Sequence, residues 1–474
     1  MITMNVKPTI DPMLLNIGCG MDLPTANLVV GDKGEIIVNG GLDYTTGFVG
    51  PGNSYKTALL LYALFTAIDR VIAVAKSYLL IYDSENTLKT HRLQKLIEKY
   101  ERLKEEVVND PSGSMIQLTN KANYYGDEII TAFRDMTKEI QKSDKKIKYR
   151  GYNLGKVGAY KDYVPRFLGI DSMSKLKPKL VEDMVHGARK EDNSIAHVDM
   201  RDGKWKANLI LDMSNLTAKA NIRVISTAHI GKDGSMDGGN KYNKPTKKLH
   251  FLKEGETIKG VSAEYFNLTS TIWLSSKSTV LKNQTTKLPE YPIGDDIDQQ
   301  ATDLMVVGLS VLRSKNGPSG VMEYIVISQA DGVLEDLSNF HNVKLEKFGI
   351  SGNDRFYHMD LYPDKTLSKG KVRKALEQDK KLCRAVQITR DIQQAKIYQS
   401  HTVRSGLWCT PKELYDGIIE AGYDWDELLQ TRNWCAIDNY HPDLPPYLSV
   451  FDLFRMRKGM YTPYWHKKTK KGEK

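Results

Sequence analysis

The stretch Gly50-Pro51-Gly52-Asn53-Ser54-Tyr55-Lys56-Thr57 decides the reading of this chain. It follows the pattern G-x-x-x-x-G-K-[ST] at every fixed position but one, because Tyr55 stands where the second glycine belongs. Residues 45–49 before it suit a short strand, and residues 57–68 after it are strongly apolar and helix-forming. Strand, glycine loop and helix is the context the motif needs. Backbone N–H groups from Gly50, Gly52, Asn53, Ser54 and Tyr55, with those of the helix N-terminus, would cradle phosphates. Lys56 would reach the terminal phosphates, and the Thr57 hydroxyl would ligate Mg²⁺. A helix-starting position has negative φ, so a side chain at Tyr55 is expected to be tolerated there.

Outward from the loop, apolar runs of strand length alternate with helical segments. The runs lie at 78–82, 167–170, 221–226, 270–274, 304–312 and 323–328. The first three end in polar residues: Asp83-Ser84-Glu85, Asp171-Ser172 and Ala228-His229. Alternation of this kind argues for an α/β fold with a mainly parallel sheet flanked by helices. Ligands in such sheets bind at the carboxyl ends of the strands, where these polar residues fall. Residues 92–109 and 127–143 are charged with helical period and read as a solvated helical pair inserted between core strands. Residues 187–206 are charged and poorly periodic, residues 231–260 are rich in glycine and lysine, and 275–303 is a polar insert with the acidic patch Asp295-Asp296-Ile297-Asp298. Long stretches without pattern inside a compact domain are usually functional or disordered. The reading divides the chain into a lead-in at 1–40 with a possible subunit contact, a core at 41–330, a closing region at 331–385, and a small helical C-terminal region with a basic tail at 386–474.

The chain has 474 residues, enough for two or three domains or for one core with insertions. Its hydrophobic fraction of 41% is ordinary for a protein with a real core, and its net charge is +10. That excess fits a soluble basic protein and a polyanion-binding one equally. Cys19, Cys383, Cys409 and Cys435 show neither zinc spacing nor a disulfide framework, so they are expected as free thiols in a reducing compartment. The longest apolar run, 58–67, is too short for a membrane span, and residues 1–10 do not read as a signal peptide. The expectation is a cytoplasmic protein with no membrane partner.

Nucleoside triphosphate hydrolysis needs, beside the loop, a carboxylate near Mg²⁺, a base to orient water, and a group that reads the γ-phosphate. Asp171 suits the first role, Glu85 the second and His229 the third, each at a strand end. Each alone is an ordinary turn residue. Their order after the loop makes them specific together.

In that order the chain resembles the RecA-type recombinases, most closely the phage UvsX branch. An aromatic residue before the lysine is a feature of that branch. Ile81-Tyr82-Asp83-Ser84-Glu85 is similar to the family strand with the catalytic glutamate, and Gly169-Ile170-Asp171-Ser172 to its Walker B strand. Ser226-Thr227-Ala228-His229 is similar to the segment that ends in a glutamine or histidine switch. Arg313 and Lys315 are similar to the paired basic residues that reach ATP across a subunit interface. The resemblance spans roughly residues 41–385. It implies a RecA-like P-loop ATPase core that uses ATP and Mg²⁺, self-associates into a helical filament, and pairs single-stranded with double-stranded DNA in recombination and repair. It also implies that 187–206 and 231–260 are DNA-binding loops, with Arg189, Lys190, Arg201, Lys204, Lys241, Lys244, Lys247 and Lys248 on phosphates, and that the protein works in the cytoplasm of a phage-infected bacterium. A ring-forming helicase of the same superfamily and a RecA-fold DNA-binding protein without turnover are the competing readings.

Overall fold

A computed structural model describes residues 12–120, 125–153, 159–179, 181–183, 195–232, 252, 256–261, 263–283, 287–293, 303–315, 317–353 and 355–466. The strands run in chain order as β1 (Asn27–Val30), β2 (Ile36–Asn39), β3 (Thr45–Gly50), β4 (Leu79–Asp83), β5 (Ile116–Asn120), β6 (Ile147–Asn153), β7 (Ala159–Asp162), β8 (Arg166–Asp171) and β9 (Ile222–Lys232). They continue as β10 (Glu256–Lys259), β11 (Thr271–Ser275), β12 (Thr279–Val280), β13 (Leu304–Ser314), β14 (Met322–Ser328), β15 (Gly332–Val333), β16 (Ile350–Gly352), β17 (Phe356–Met359) and β18 (Tyr362–Ser368). Among the described residues eleven strands form one sheet, ordered β15-β14-β13-β11-β3-β9-β8-β4-β5, with β10 on β9 and β12 on β13. The six strands from β11 to β5 run parallel. Strands β13 to β15 extend this block antiparallel on the β11 side. The protein is therefore mixed α/β with a large, mostly parallel sheet flanked by helices.

Strand alternation explains how the sheet is covered on both faces. Phe48, Ile81, Phe167, Ile225 and Trp273 point to one face and join the core of helix α1 (Lys56–Ile72). Their neighbours Val49, Tyr82, Leu168, Val224 and Ile272 point to the other face. There they meet Ile129 and Phe133 of the helix Gly126–Ser143 and Leu209 and Met213 of the helix Ile195–Ala220. Two buried faces require near-continuous apolar strands, which is why the runs were legible. Helix α1 is apolar almost all round, with Leu59, Leu60, Ala63, Leu64 and Ile68 at or near zero exposure.

Three expectations change. The segment 127–143 is not solvated: it packs its apolar stripe on the sheet, and Trp205 would meet any Cβ placed at Gly126 within 2.4 Å. Residues 195–206 do not form a loop but open the 26-residue helix Ile195–Ala220, because Trp205, Leu209 and Met213 recur at helical spacing against the Gly126–Ser143 helix. The end of the second expected loop is likewise ordered, as β10 pairs antiparallel with β9 from Glu256↔Lys232 to Lys259↔His229.

The C-terminal part is helical, and its helix Lys380–Tyr398 runs across the position where the sequence suggested a boundary. It is joined to the start of the chain. Cys435 N–H donates to Asn16 Oδ1 at 2.7 Å, Ile36 N–H to Asp452 Oδ1 at 2.8 Å, and Val38 N–H to the Tyr447 hydroxyl at 3.0 Å. The described part of the lead-in is thus built into its own chain. All four cysteines are free, and Cys19, Cys409 and Cys435 are buried. Among the described residues no helix is long and apolar enough to cross a membrane.

Candidate nucleotide site

The loop leaves the carboxyl end of β3, and its shape depends on two left-handed residues, Asn53 at φ 57° and Tyr55 at φ 54°. The expectation of negative φ at Tyr55 does not hold. Tyr55 is the residue just before α1, and the chain reaches the first helical residue only by reversing hand there. Glycine takes this conformation freely, whereas a tyrosine is strained by about 1–2 kcal/mol. Alternating hands at Asn53, Ser54 and Tyr55 turn successive N–H groups to one side, the geometry of an anion-binding nest. No side chain caps α1. Among the described residues the first N–H of this helix to meet a backbone acceptor is that of Leu59, which donates to the Tyr55 carbonyl at 3.0 Å. The N–H groups ahead of it are the orphan donors of a helix start, and they favour an anion.

Lys56 is 7% exposed and curls back over the loop, donating to the Pro51 carbonyl at 2.8 Å and the Ser54 hydroxyl at 3.3 Å. Burial pulls its ammonium below the usual lysine value, against the attraction of Asp171 and Glu85. The loop is anchored from β11: the Ser275 hydroxyl donates to the Ser54 carbonyl at 2.5 Å. Ser278 N–H donates to the Asn53 carbonyl at 3.0 Å. Gly50 admits no side chain, since a Cβ there would lie 2.5 Å from the Ser275 carbonyl oxygen.

Asp171 ends β8 and is buried. Its Oδ2 accepts from the Thr57 hydroxyl at 2.7 Å and its Oδ1 from the Thr227 hydroxyl at 2.5 Å. Burial raises its carboxyl above the ordinary range, while these two hydroxyls work the other way. A hydroxyl and a carboxylate in contact fit Mg²⁺, which keeps several waters and takes only one or two protein groups beside phosphate oxygens.

Glu85 stands two residues past β4 on a turn shaped by Asp83, whose carboxylate accepts from Glu85 N–H at 3.0 Å and Leu88 N–H at 2.7 Å. Glu85 Oε1 meets His229 Nε2 at 3.0 Å and accepts from the Ser172 hydroxyl at 2.9 Å. Burial alone would raise the Glu85 carboxyl, but the bonds from His229 and Ser172 outweigh it and hold it below its ordinary value. An ionised carboxylate only accepts, so His229 carries its proton on Nε2. His229 lies on β9 opposite Gly50 of β3. Because β9 sits between β3 and β8, the histidine falls between the loop and the Asp171 strand.

The structure thus brings Gly50 to Thr57, Glu85, Asp171 and His229 to one end of the sheet. It separates Arg313 and Lys315 from them. These lie at the end of β13, which is antiparallel to β11, so they fall at the amino end of the parallel block. Lys315 N–H donates to the Ser270 carbonyl, and Ser270 N–H to that of Thr45, the first residue of β3. The length of β3, about 17 Å, separates them from the loop of the same chain. Arg313 donates to the Phe266 carbonyl and lies 5.2 Å from the centre of the Phe266 ring, and burial lowers its pKa. Arg201 and Lys204 are exposed on the Ile195–Ala220 helix. Arg189, Lys190, Lys241, Lys244, Lys247 and Lys248 lie outside the described residues. Sequence reasoning missed Thr227, Ser172, Ser275 and Asp83. Their one visible signal was position, at or next to the ends of apolar runs.

The chain matches no family model and no curated protein.

Proposed function

We propose that this chain is an ATP-dependent DNA recombinase of the RecA type, which assembles on single-stranded DNA and pairs it with duplex DNA. The observation that carries the reading is the joined constellation of Lys56, Thr57–Asp171 and Glu85–His229 around one helix start. Each pair is in hydrogen-bond contact, and the partners come from the helix after β3, from just past β4, from the end of β8 and from within β9. Charges so arranged suit phosphoryl transfer, in which positioning and charge stabilisation do most of the work.

In this reading the loop N–H groups and Lys56 bind the triphosphate, and the Tyr55 backbone sets the angle at which α1 meets it. Bound Mg²⁺, held through Thr57 and Asp171, would offset charge on the β- and γ-phosphates. Glu85, kept ionised by its bonds from His229 and Ser172, orients the attacking water and accepts its proton. His229 donates to Glu85, so a change at the γ-phosphate that moves Glu85 also moves β9 where it pairs with Lys259 of β10. Arg313 and Lys315 reach a nucleotide only if it is bound to a second copy of the chain. The reading therefore requires self-association, as a filament in its preferred form.

The test is phosphate release by wild type and Lys56→Ala with and without single-stranded DNA, together with electron microscopy of the protein on DNA with a non-hydrolysable ATP analogue. The reading expects DNA-stimulated release that Lys56→Ala abolishes, and open helical filaments. Closed hexamers would favour a ring-forming helicase. Equal background release from both proteins, with DNA binding intact, would favour a RecA-fold DNA-binding protein without turnover.

A further inference from the structure

Ser174 stands three residues past Asp171, on the turn that follows β8. Its hydroxyl accepts from His229 N–H at 2.9 Å and donates to the Lys259 carbonyl at 2.7 Å. His229 and Lys259 are cross-strand partners in the β9–β10 hairpin. The next residue, Gly260, has φ +64°, and a Cβ on it would come within 2.6 Å of the Ser174 carbonyl oxygen. Glycine is needed here both for the left-handed conformation and for the close approach. The Gly260 carbonyl accepts from Lys206 Nζ at 2.6 Å. Lys206 in turn pairs at 3.0 Å with Asp202, one turn earlier on the Ile195–Ala220 helix.

Lys206 lies in a run of basic residues that the sequence reads as DNA-facing, yet its side chain is only 2% exposed. Its donors are engaged by Asp202 and a main-chain carbonyl, and burial lowers its pKa despite Asp202. A lysine in that position does not reach a phosphate in solvent. It ties a helix to a hairpin, and the hairpin is tied through Ser174 to the histidine that holds Glu85.

We propose that Lys206 and Gly260, joined to His229 through Ser174, form a latch that fixes the base of the β9–β10 hairpin to the nucleotide side of the sheet. Lys206 is then a positioning residue for nucleotide-dependent DNA binding, not a DNA contact. This rests on the recombinase reading above. The connection is contiguous: Glu85 to His229, His229 to Ser174, Ser174 to Lys259, and Gly260 to Lys206 and its helix. Coupling between two sites needs a chain of packed and bonded groups of this kind, and only measured coupling proves it.

The experiment measures affinity for single-stranded DNA with and without a non-hydrolysable ATP analogue, and ATP turnover without DNA. The proteins are wild type, Lys206→Met, Lys206→Arg and Gly260→Ala. Methionine keeps most of the lysine stem volume and removes the donor. The latch predicts that Lys206→Met lowers the nucleotide-dependent gain in DNA affinity about tenfold, with DNA-free turnover within about twofold of wild type. Lys206→Arg, which still donates to Asp202 and Gly260, restores most of the gain. Gly260→Ala, which leaves Lys206 in place but strikes Ser174, shows the same loss as Lys206→Met and is the second probe should that variant fold poorly. A Lys206→Met protein with an undiminished gain overturns the latch. So does one whose DNA affinity falls equally with and without nucleotide, which would make Lys206 a direct contact. A wild type with no nucleotide-dependent DNA binding overturns the recombinase reading, and the latch with it.

Discussion

The candidate nucleotide end of the sheet and the C-terminal helical region both hold charge in the fold, and they do so in opposite ways. At the candidate nucleotide end Glu85 is hydrogen-bonded to His229, with side chains 26% and 34% exposed, and Lys56 rests on a loop carbonyl. In the C-terminal region Arg390 pairs with Glu323 of β14, the two side chains 5% and 1% exposed. Glu323 Oε1 also accepts from Gln394 at 2.9 Å and from the Tyr398 hydroxyl at 3.1 Å. The second cluster is closed around itself and holds one helix against one strand. The first is partly exposed, and its lysine is held by neutral acceptors of its own loop, which an anion would replace. Buried charge that is enclosed specifies packing, whereas charge that stays partly exposed is poised for a ligand.

The comparison is broken most directly at Glu85. Glu85→Gln keeps the size of the side chain and removes the carboxylate, so on the proposed reading ATP turnover should fall about 10³-fold with nucleotide affinity little changed. A fall of less than tenfold in steady-state phosphate release would mean that Glu85 is not the base. Next comes the closed cluster. Arg390→Met leaves Glu323 buried without its charge partner, and chemical denaturation should show a loss of about 3 kcal/mol. If nucleotide binding by the folded variant also weakens, the two regions are not independent, and the contrast drawn above fails.

His229→Ala sharpens the comparison through pH. Glu85 is held below its ordinary range in part by His229, so it remains ionised as the pH falls toward its lowered value, and only then is the base lost. Without the histidine bond its pKa rises, and the acid limb of turnover should move to higher pH. The rate at neutral pH should drop about tenfold. A pH–rate profile with an unmoved acid limb would remove His229 from the list of groups that set Glu85. The smallest effect is expected at Tyr55. Tyr55→Gly relieves a left-handed side chain but gives up the packing of the tyrosine against the α1 core, so the stability change should stay within about 1 kcal/mol. A nucleotide affinity within about threefold of wild type, read by titration, fits a loop that depends on backbone hand rather than on the phenol.

Much of this architecture was legible because parallel strands buried on both faces must be continuously apolar. Runs such as 167–170 and 221–226 announced themselves, as did Asp171 at the end of the first, while the second continues as strand through His229 to Lys232. Other features were hidden for reasons that are equally physical. Thr227 and Ser172 are ordinary hydroxyl residues until β9 and β8 lie in register and bring them to Asp171 and Glu85. The helical character of 195–206 was hidden by charged residues such as Arg201 and Lys204, which are exposed, whereas Trp205 packs against the core on that face of the sheet. Residues 386–466 offered no motif. Their role as a wrap around the start of the chain rests on contacts between residues some 400 positions apart, such as Cys435 with Asn16.

The sequence by itself determined the loop, the alternation of strands and helices, and the strand-end placement of Glu85 and Asp171, because local pattern and residue chemistry suffice for those, whereas β9 runs on past His229 to Lys232. Only the tertiary structure decided that Tyr55 is left-handed and that Arg313 and Lys315 stand at the far end of the sheet. It alone also decided that Lys206 is a buried tie. Hand, distance and burial belong to the packing of remote segments, and no window of sequence contains them.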